Sequence, residues 1–247
     1  MCISVKLNES GIEENSMVFG VCFTQVYCGA LGLVLLFLPS PAFGAEVQNL
    51  KNITDHLNKS YGIDGQYALG INVLAKYCAQ GASLDQNFLS GDEANKVKSD
   101  MNSEECIYIG NELVGARPKR KNSKRNIHSE SLLLRIPVAE NPSPMQDLLN
   151  RRKDGCTVFY TFNSPCVQTC STPNGNHSII PALDMFKTHT GPKAFVFSEI
   201  WKHDVGKNQW EQNILEINNR IPLYRCDNAG CVRCVENNRV DSWCKAN

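Results

Sequence analysis

The sequence has no net charge: 25 Lys and Arg residues balance 25 Asp and Glu residues over 247 positions. A chain that held nucleic acid or an acidic surface by bulk charge would carry an excess of one sign, so any such contact must come from a local cluster. It also lacks internal repeats and low-complexity tracts, which excludes a solenoid or a disordered linker as the main architecture. What remains is a globular composition with enough length for one domain of ordinary size. Charge is missing from one place in particular. The run Val18 to Leu38 holds no Asp, Glu, Lys or Arg.

That run has the form of a leader. Met1 to Ser16 is polar and carries Glu9, Glu13 and Glu14, a poor start for a signal peptide, so Met1 and Met17 both stand as possible starts. The apolar run gives way to Pro39-Ser40-Pro41-Ala42-Phe43-Gly44, which puts small residues at the −3 and −1 positions of a cleavage before Ala45. Residues 1–44 read as a signal peptide, and the chain as secreted. An uncleaved membrane anchor is the alternative, because the run is long enough to span a bilayer. If the leader is cleaved, no stable membrane association is expected. The remaining chain stays almost neutral, since only Lys6 and three glutamates leave with it.

Two short stretches carry chemistry. One is Asn126-Ile127-His128-Ser129-Glu130. The other is Phe162-Asn163-Ser164-Pro165-Cys166-Val167-Gln168-Thr169-Cys170. One imidazole and two thiolates, His128, Cys166 and Cys170, are a donor set for Zn²⁺ that leaves a fourth position for water. The metal lowers the pKa of such a water. Glu130 is then a proton shuttle and not a ligand. Cys166 and Cys170 are four apart and would share one face of a helix, with Pro165 suited to its first turn. His128 and Glu130 are two apart and converge only if a helix starts between them. Gly155 to Phe162 is a β-branched and aromatic run that reads as a buried strand leading into the cysteines.

H-x-E followed by P-C-x-x-x-C resembles the signature of zinc-dependent nucleobase deaminases. Phe159 to Cys166 resembles the strand and S-W-S-P-C segment of the AID/APOBEC cytosine deaminases, and the leader makes the chain most similar to their secreted relatives. Two departures stand out. Asn163 occupies the family's tryptophan position, and three residues separate the cysteines where two are commonest. The resemblance covers about Tyr67 to Arg220. It implies a three-layer α/β cytidine-deaminase-like fold, with a mixed sheet of about five strands flanked by helices. It also implies hydrolytic conversion of cytosine to uracil in single-stranded DNA or RNA. The organisation read from these features is a leader over 1–44, a deaminase domain over 45–225 and a Cys-rich tail over 226–247.

With the compartment read as oxidising, the other cysteines become disulfide candidates. Nine cysteines follow the leader. Setting aside Cys166 and Cys170 leaves an odd number, with Cys156 the candidate free thiol and Cys78, Cys106, Cys226, Cys231, Cys234 and Cys244 to be paired. Tyr67 to Val73 alternates like a half-buried strand, and Cys106 to Ile109 reads as a second one. If these pair antiparallel, a Cys78–Cys106 cross-strand bridge follows. Two further bridges are expected within the tail, the alternative there being a second zinc site. Asn52, Asn58 and Asn176 head N-glycosylation sequons.

The remaining chain reads as helices over Val47 to Tyr61, Ile179 to Lys187 and Gln209 to Asn219, and a strand over Lys193 to Trp201. The helix carrying Glu130 stops before Pro137, and another helical turn spans Met145 to Arg151. Residues 79–104 read as a long loop, and His177 and His189 as surface residues. Arg117-Pro118-Lys119-Arg120-Lys121-Asn122-Ser123-Lys124-Arg125 is the one strong charge cluster, and it runs directly into His128. Lys119, Arg120, Lys121, Lys124 and Arg125 are candidates to neutralise phosphates flanking a target base. A merely solvated loop, and a proprotein-convertase site over Arg117 to Arg120, are the alternatives. Trp201 is a candidate stacking platform or a core residue. No protein partner is legible. Two other functions remain open: a free-cytidine or small-molecule deaminase, and a secreted zinc-stabilised binding protein without catalysis.

Overall fold

A computed structural model describes residues 46–122, 125–136 and 142–245. The leader and Lys124 lie outside the described residues. The elements in chain order are α1 (Leu50–Tyr61), β1 (Ala68–Val73), α2 (Ala94–Met101), β2 (Ile107–Ile109), β3 (Leu113–Ala116), β4 (Lys119–Asn122) and β5 (Arg125–Ile127). They continue with α3 (Ser129–Leu134), α4 (Pro144–Arg151), β6 (Cys156–Asn163), β7 (Lys193–Glu199), α5 (Gln209–Asn218), β8 (Leu223–Asp227), β9 (Gly230–Arg233) and the small hairpin β10 (Val235–Glu236) and β11 (Arg239–Val240). Short 3-10 turns cover Ala75–Cys78, Pro181–Thr188 and Trp243–Lys245.

One mixed sheet of seven strands has the order β2-β3-β1-β6-β7-β8-β9. The β6–β7 and β7–β8 pairs are parallel and the others antiparallel. The expected sheet was smaller. The additional strands are β3, wedged between β1 and β2, and β9, contributed by the tail. Strands of the sheet alternate between two cores. Phe159, Phe195, Phe197 and Leu223 face α3, α4 and α5. Val158, Tyr160, Ala194, Val196 and Tyr224 face α1 and α2. Both faces are covered by helices, the three-layer arrangement expected for such a sheet. That cover also makes β1 buried along its whole length and not half-buried as its alternation suggested. Gly70 is part of the fit: a Cβ there would stand 2.5 Å from Met145 Sδ, so α4 packs down on β1 only over a glycine.

The order of strands overturns one expected bridge. β2 does not pair with β1, because β3 lies between them. Cys106 is therefore out of reach of Cys78 and is a free thiol. Val73 faces Cys156 in the β1–β6 register, and the 3-10 turn after β1 brings Cys78 onto it. The bridge is Cys78–Cys156, with Cα atoms 5.5 Å apart, so Cys156 is not the free thiol. The tail forms its two bridges, Cys226–Cys231 across the β8–β9 hairpin and Cys234–Cys244.

Residues 79–104 are not all loop, since α2 lies within them. Asp92, just before it, is 1 % exposed and binds the Tyr108 hydroxyl and the backbone N–H groups of Asn111 and Glu112. His189 is also not a surface residue. It is 3 % exposed, and its Nε2–H donates to the Gly155 carbonyl oxygen at 2.8 Å. Burial lowers its pKa, with the Lys193 ammonium adding to the effect. His177 is exposed, as expected.

Candidate active site

The site forms where β6 ends and α3 begins. His128 is the residue before the first turn of α3, with extended backbone (φ −69°, ψ 149°), while Glu130 is already helical. A side chain outside the helix and one inside its first turn need not diverge as two helical residues two apart would. Both point at the segment that follows β6. His128 Nδ1 lies 3.2 Å from Cys170 Sγ. Ligand atoms of His128, Glu130 and Cys170 all fall within 4.8 Å of one another. Glu130 and Cys170 are each 1 % exposed.

Cys166 stands off from that close group and is half-buried. The expected helix across Cys166 to Cys170 is absent; the segment is a series of turns. Val167 N–H donates to the buried Asp204 carboxylate at 2.8 Å. Hydroxyls take carbonyls that a helix would use. The Thr172 hydroxyl donates to Val167 O, and that of Ser171 to Pro165 O or Cys166 O. Such local bonds compete with helix formation. The turn is closed by Ser171 N–H, which donates to Cys166 O at 3.0 Å.

Electrostatics at Cys170 bear on whether a metal fits. Burial pushes its thiol well above the ordinary range, the Glu130 carboxylate pushes it further, and only the Thr169 hydroxyl and the Cys166 backbone oppose. A buried sulfur beside an imidazole, a second thiol and a carboxylate is a costly place for a lone anion and a favourable one for a soft dication. The donors brought together are one nitrogen, one sulfur and one carboxylate oxygen, a cluster that could hold a metal ion, with Cys166 on the same turn as Cys170.

Glu130 sits in a polar cage. Oε1 receives Gln66 Nε2–H at 3.3 Å and lies 3.2 Å from Thr161 Oγ1, whose single proton has Asn163 O at 3.0 Å as its other acceptor; Oε2 receives Ser129 Oγ–H at 3.1 Å. Gln66 was not legible as a site residue. It lies two positions before β1, and only the antiparallel β1–β6 register, in which Ala68 faces Thr161, carries it to Asn163.

Residues 47–247 match the family model described as Secreted Novel AID/APOBEC-like Deaminase 1. The chain belongs to this family. Comparison with curated proteins and with solved structures gives no match. Membership makes the class of activity that of a deaminase. Among the described residues no helix is long and apolar enough to cross a membrane.

The other candidates of this deaminase can then be placed. Asn163 gives Gln66 Oε1 two donors, its backbone N–H at 2.9 Å and its side-chain Nδ2–H at 2.7 Å. Trp201 is half-buried, so it is not a core residue; its ring meets His203 edge-on at 5.0 Å and its backbone N–H donates to Ser164 Oγ. The basic run is a two-stranded hairpin, β4–β5, separate from the main sheet and leading straight into His128. Lys119 is paired with Glu105 at 2.6 Å, and Arg117 donates to Asn102, while Arg120 is exposed. Asn52 and Asn176 are exposed and Asn58 is half-buried, its Oδ1 accepting the Tyr67 hydroxyl at 2.7 Å.

Proposed function

We propose that this chain is a secreted, zinc-dependent deaminase that converts cytosine to uracil in single-stranded DNA or RNA. The observation that carries the reading is the buried Glu130 carboxylate at the start of α3, within reach of both His128 and Cys170. His128, Cys166 and Cys170 would hold the metal. Bound zinc supplies the Lewis acidity that makes water a nucleophile near neutral pH.

The protein's own groups then manage protons. Glu130 Oε1 is held by the Gln66 amide, and Oε2 meets the rotatable Ser129 hydroxyl, which can accept from a protonated Oε2 where it now donates. Glu130 takes the proton of the attacking water and delivers it to N3 of the base. Oxygen bonds to C4, the C4–N4 bond breaks, and Glu130 passes the second proton to the departing ammonia. Burial excludes bulk water from that carboxylate.

The β4–β5 hairpin supports a polynucleotide substrate, since it brings a run of cations to the chain segment that ends in His128. The Lys119–Glu105 pair favours a second reading, free cytidine, because it removes one cation from the set. Three disulfides support an oxidising compartment, and with it cleavage of the leader before Ala45.

The test is to incubate secreted, mature protein, with measured zinc content, with cytosine-containing single strands and with free cytidine, scoring uracil or uridine. Turnover of strands only supports the main reading, and turnover of cytidine only supports the second. Zinc-loaded protein that turns over neither is a binding protein. Neutralising Arg120, Lys121, Lys124 and Arg125 should flatten the salt dependence of strand binding by about 0.7 in log–log slope per lost phosphate contact.

A further inference from the structure

Gln66 bridges the catalytic carboxylate and the residue that departs from the family pattern. Its amide has an assigned direction. Asn163 N–H is a backbone donor and cannot accept, so the end of Gln66 that it meets at 2.9 Å must be the carbonyl oxygen. The amino end therefore faces Thr161 Oγ1 at 2.9 Å and Glu130 Oε1 at 3.3 Å. Asn163 Nδ2–H adds a second lock on the same oxygen at 2.7 Å. Asn163 orients Gln66, and Gln66 presents a donor to one chosen oxygen of Glu130.

We infer that Gln66 is a positioning residue for Glu130, and that Asn163 acts through it by fixing the direction of its amide. Glu130 is the last residue whose orientation should be left free, since a carboxylate that swings by an ångström no longer meets both the attacking water and the base. Gln66 holds Oε1 and Ser129 meets Oε2, so both carboxylate oxygens have a partner in the protein. This rests on the reading of Glu130 as the proton carrier.

Two variants separate orientation from folding. Gln66→Glu keeps an oxygen for Asn163 but has no donor for Glu130. Gln66→Met keeps the length and loses both bonds. With cytosine-containing strands as substrate, both should lower kcat by roughly 10- to 100-fold with KM changed less than about threefold, the range for losing a hydrogen bond to a charged group. In a Glu130→Gln background the same changes should cost less than about threefold more, because the group they orient is gone. A KM effect alone, or full additivity with Glu130→Gln, overturns the proposal. A measurement free of turnover decides it if the wild type proves inactive. The Gln66 side-chain NH₂ signals in a ¹⁵N-correlated spectrum should shift in Glu130→Leu and again in Asn163→Ala, with thermal unfolding of both variants checked. Signals that ignore both substitutions sink the inference, whatever the fate of the deaminase reading.

Discussion

Strand β6 has a cysteine near each end, and the two ends have opposite fates. At its start Cys156 is oxidised onto Cys78, His189 and Lys193 are buried against it, and the loop before β7 closes so tightly that a Cβ on Gly191 would stand 2.0 Å from the Gly155 carbonyl oxygen. Just past its finish Cys166 and Cys170 stay thiols, and the surrounding groups are Gln66, Thr161, Glu130 and Asp204. One end spends its polar groups on closure, and the other keeps them aimed at a common point. The difference does not lie in cysteine chemistry. It lies in which backbone is nearby: a register partner that fixes Cα atoms at bridging distance, or turns whose donors are held by side chains.

The comparison breaks most completely at Glu130. Glu130→Gln should lower deamination by about 10²- to 10⁴-fold, as lost acid–base catalysis does. Zinc content and thermal stability should be unchanged, because the change removes the carboxylate and keeps its shape. Cys170→Ser should instead lose zinc together with activity, measured by metal analysis of the purified protein.

The closed end should answer to stability and not to chemistry. Replacing Cys78 and Cys156 by Ala opens a loop of sequence separation 78, against 5 for Cys226–Cys231. Chain entropy makes the first loss about 4 kcal/mol and the second about 2 kcal/mol, read from denaturant unfolding. A reversed order would mean that the β8–β9 hairpin, and not β6, organises the domain.

A smaller effect sharpens the open end. Asp204→Ala removes the acceptor from Val167 N–H and leaves that buried donor unpaired, which costs about 1–3 kcal/mol. If Asp204 holds the cysteine turn in shape, the variant should also give up zinc to a chelator faster than wild type. Asp204→Asn, which keeps an acceptor, should restore most of that retention.

The smallest effect belongs to pH at the closed end. The His189 pKa is lowered by burial from its ordinary value of 6.5. The unfolded chain therefore binds a proton near pH 6.5 that the folded chain resists, so stability is lost as pH falls below that value and is unaffected above it. Unfolding midpoints at pH 7.5 and pH 5.5 should differ more for wild type than for His189→Gln. His56, whose pKa is also lowered by burial, contributes to both proteins and cancels in that difference.

Much of the open end was legible from residue types alone. His128, Glu130, Cys166 and Cys170 announce their chemistry, and the aromatic run of β6 announces the strand that delivers it. What stayed hidden depends on pairing between distant segments. Gln66 has no motif; it enters the site through strand register. The Cys78–Cys156 bridge was missed because β3 has only the four residues Leu113–Ala116, one a glycine, too short to reveal itself as the strand that displaces β2. The helix expected over Cys166 to Cys170 has the right spacing, but the segment forms turns in which the Ser171 and Thr172 hydroxyls bond the carbonyl oxygens of residues 165–167 that a helix would use. His189 looked like any surface histidine, since nothing near it in sequence foretells the Gly155 carbonyl waiting for its proton.

The first and last parts of the described chain are fastened to each other. Val47 and Leu50 share a core with Tyr224 and Cys226, and Glu46 is ion-paired with Arg233 of β9. The same helix is also seated on segments made soon after it: Gln48 and Asn49 N–H donate to Cys78 O, and the Tyr61 hydroxyl donates to Asp92 O. A ribosome delivers these partners early and β9 last, so the layer can begin with α1 and α2 and is closed by the Glu46–Arg233 tie only when the tail arrives.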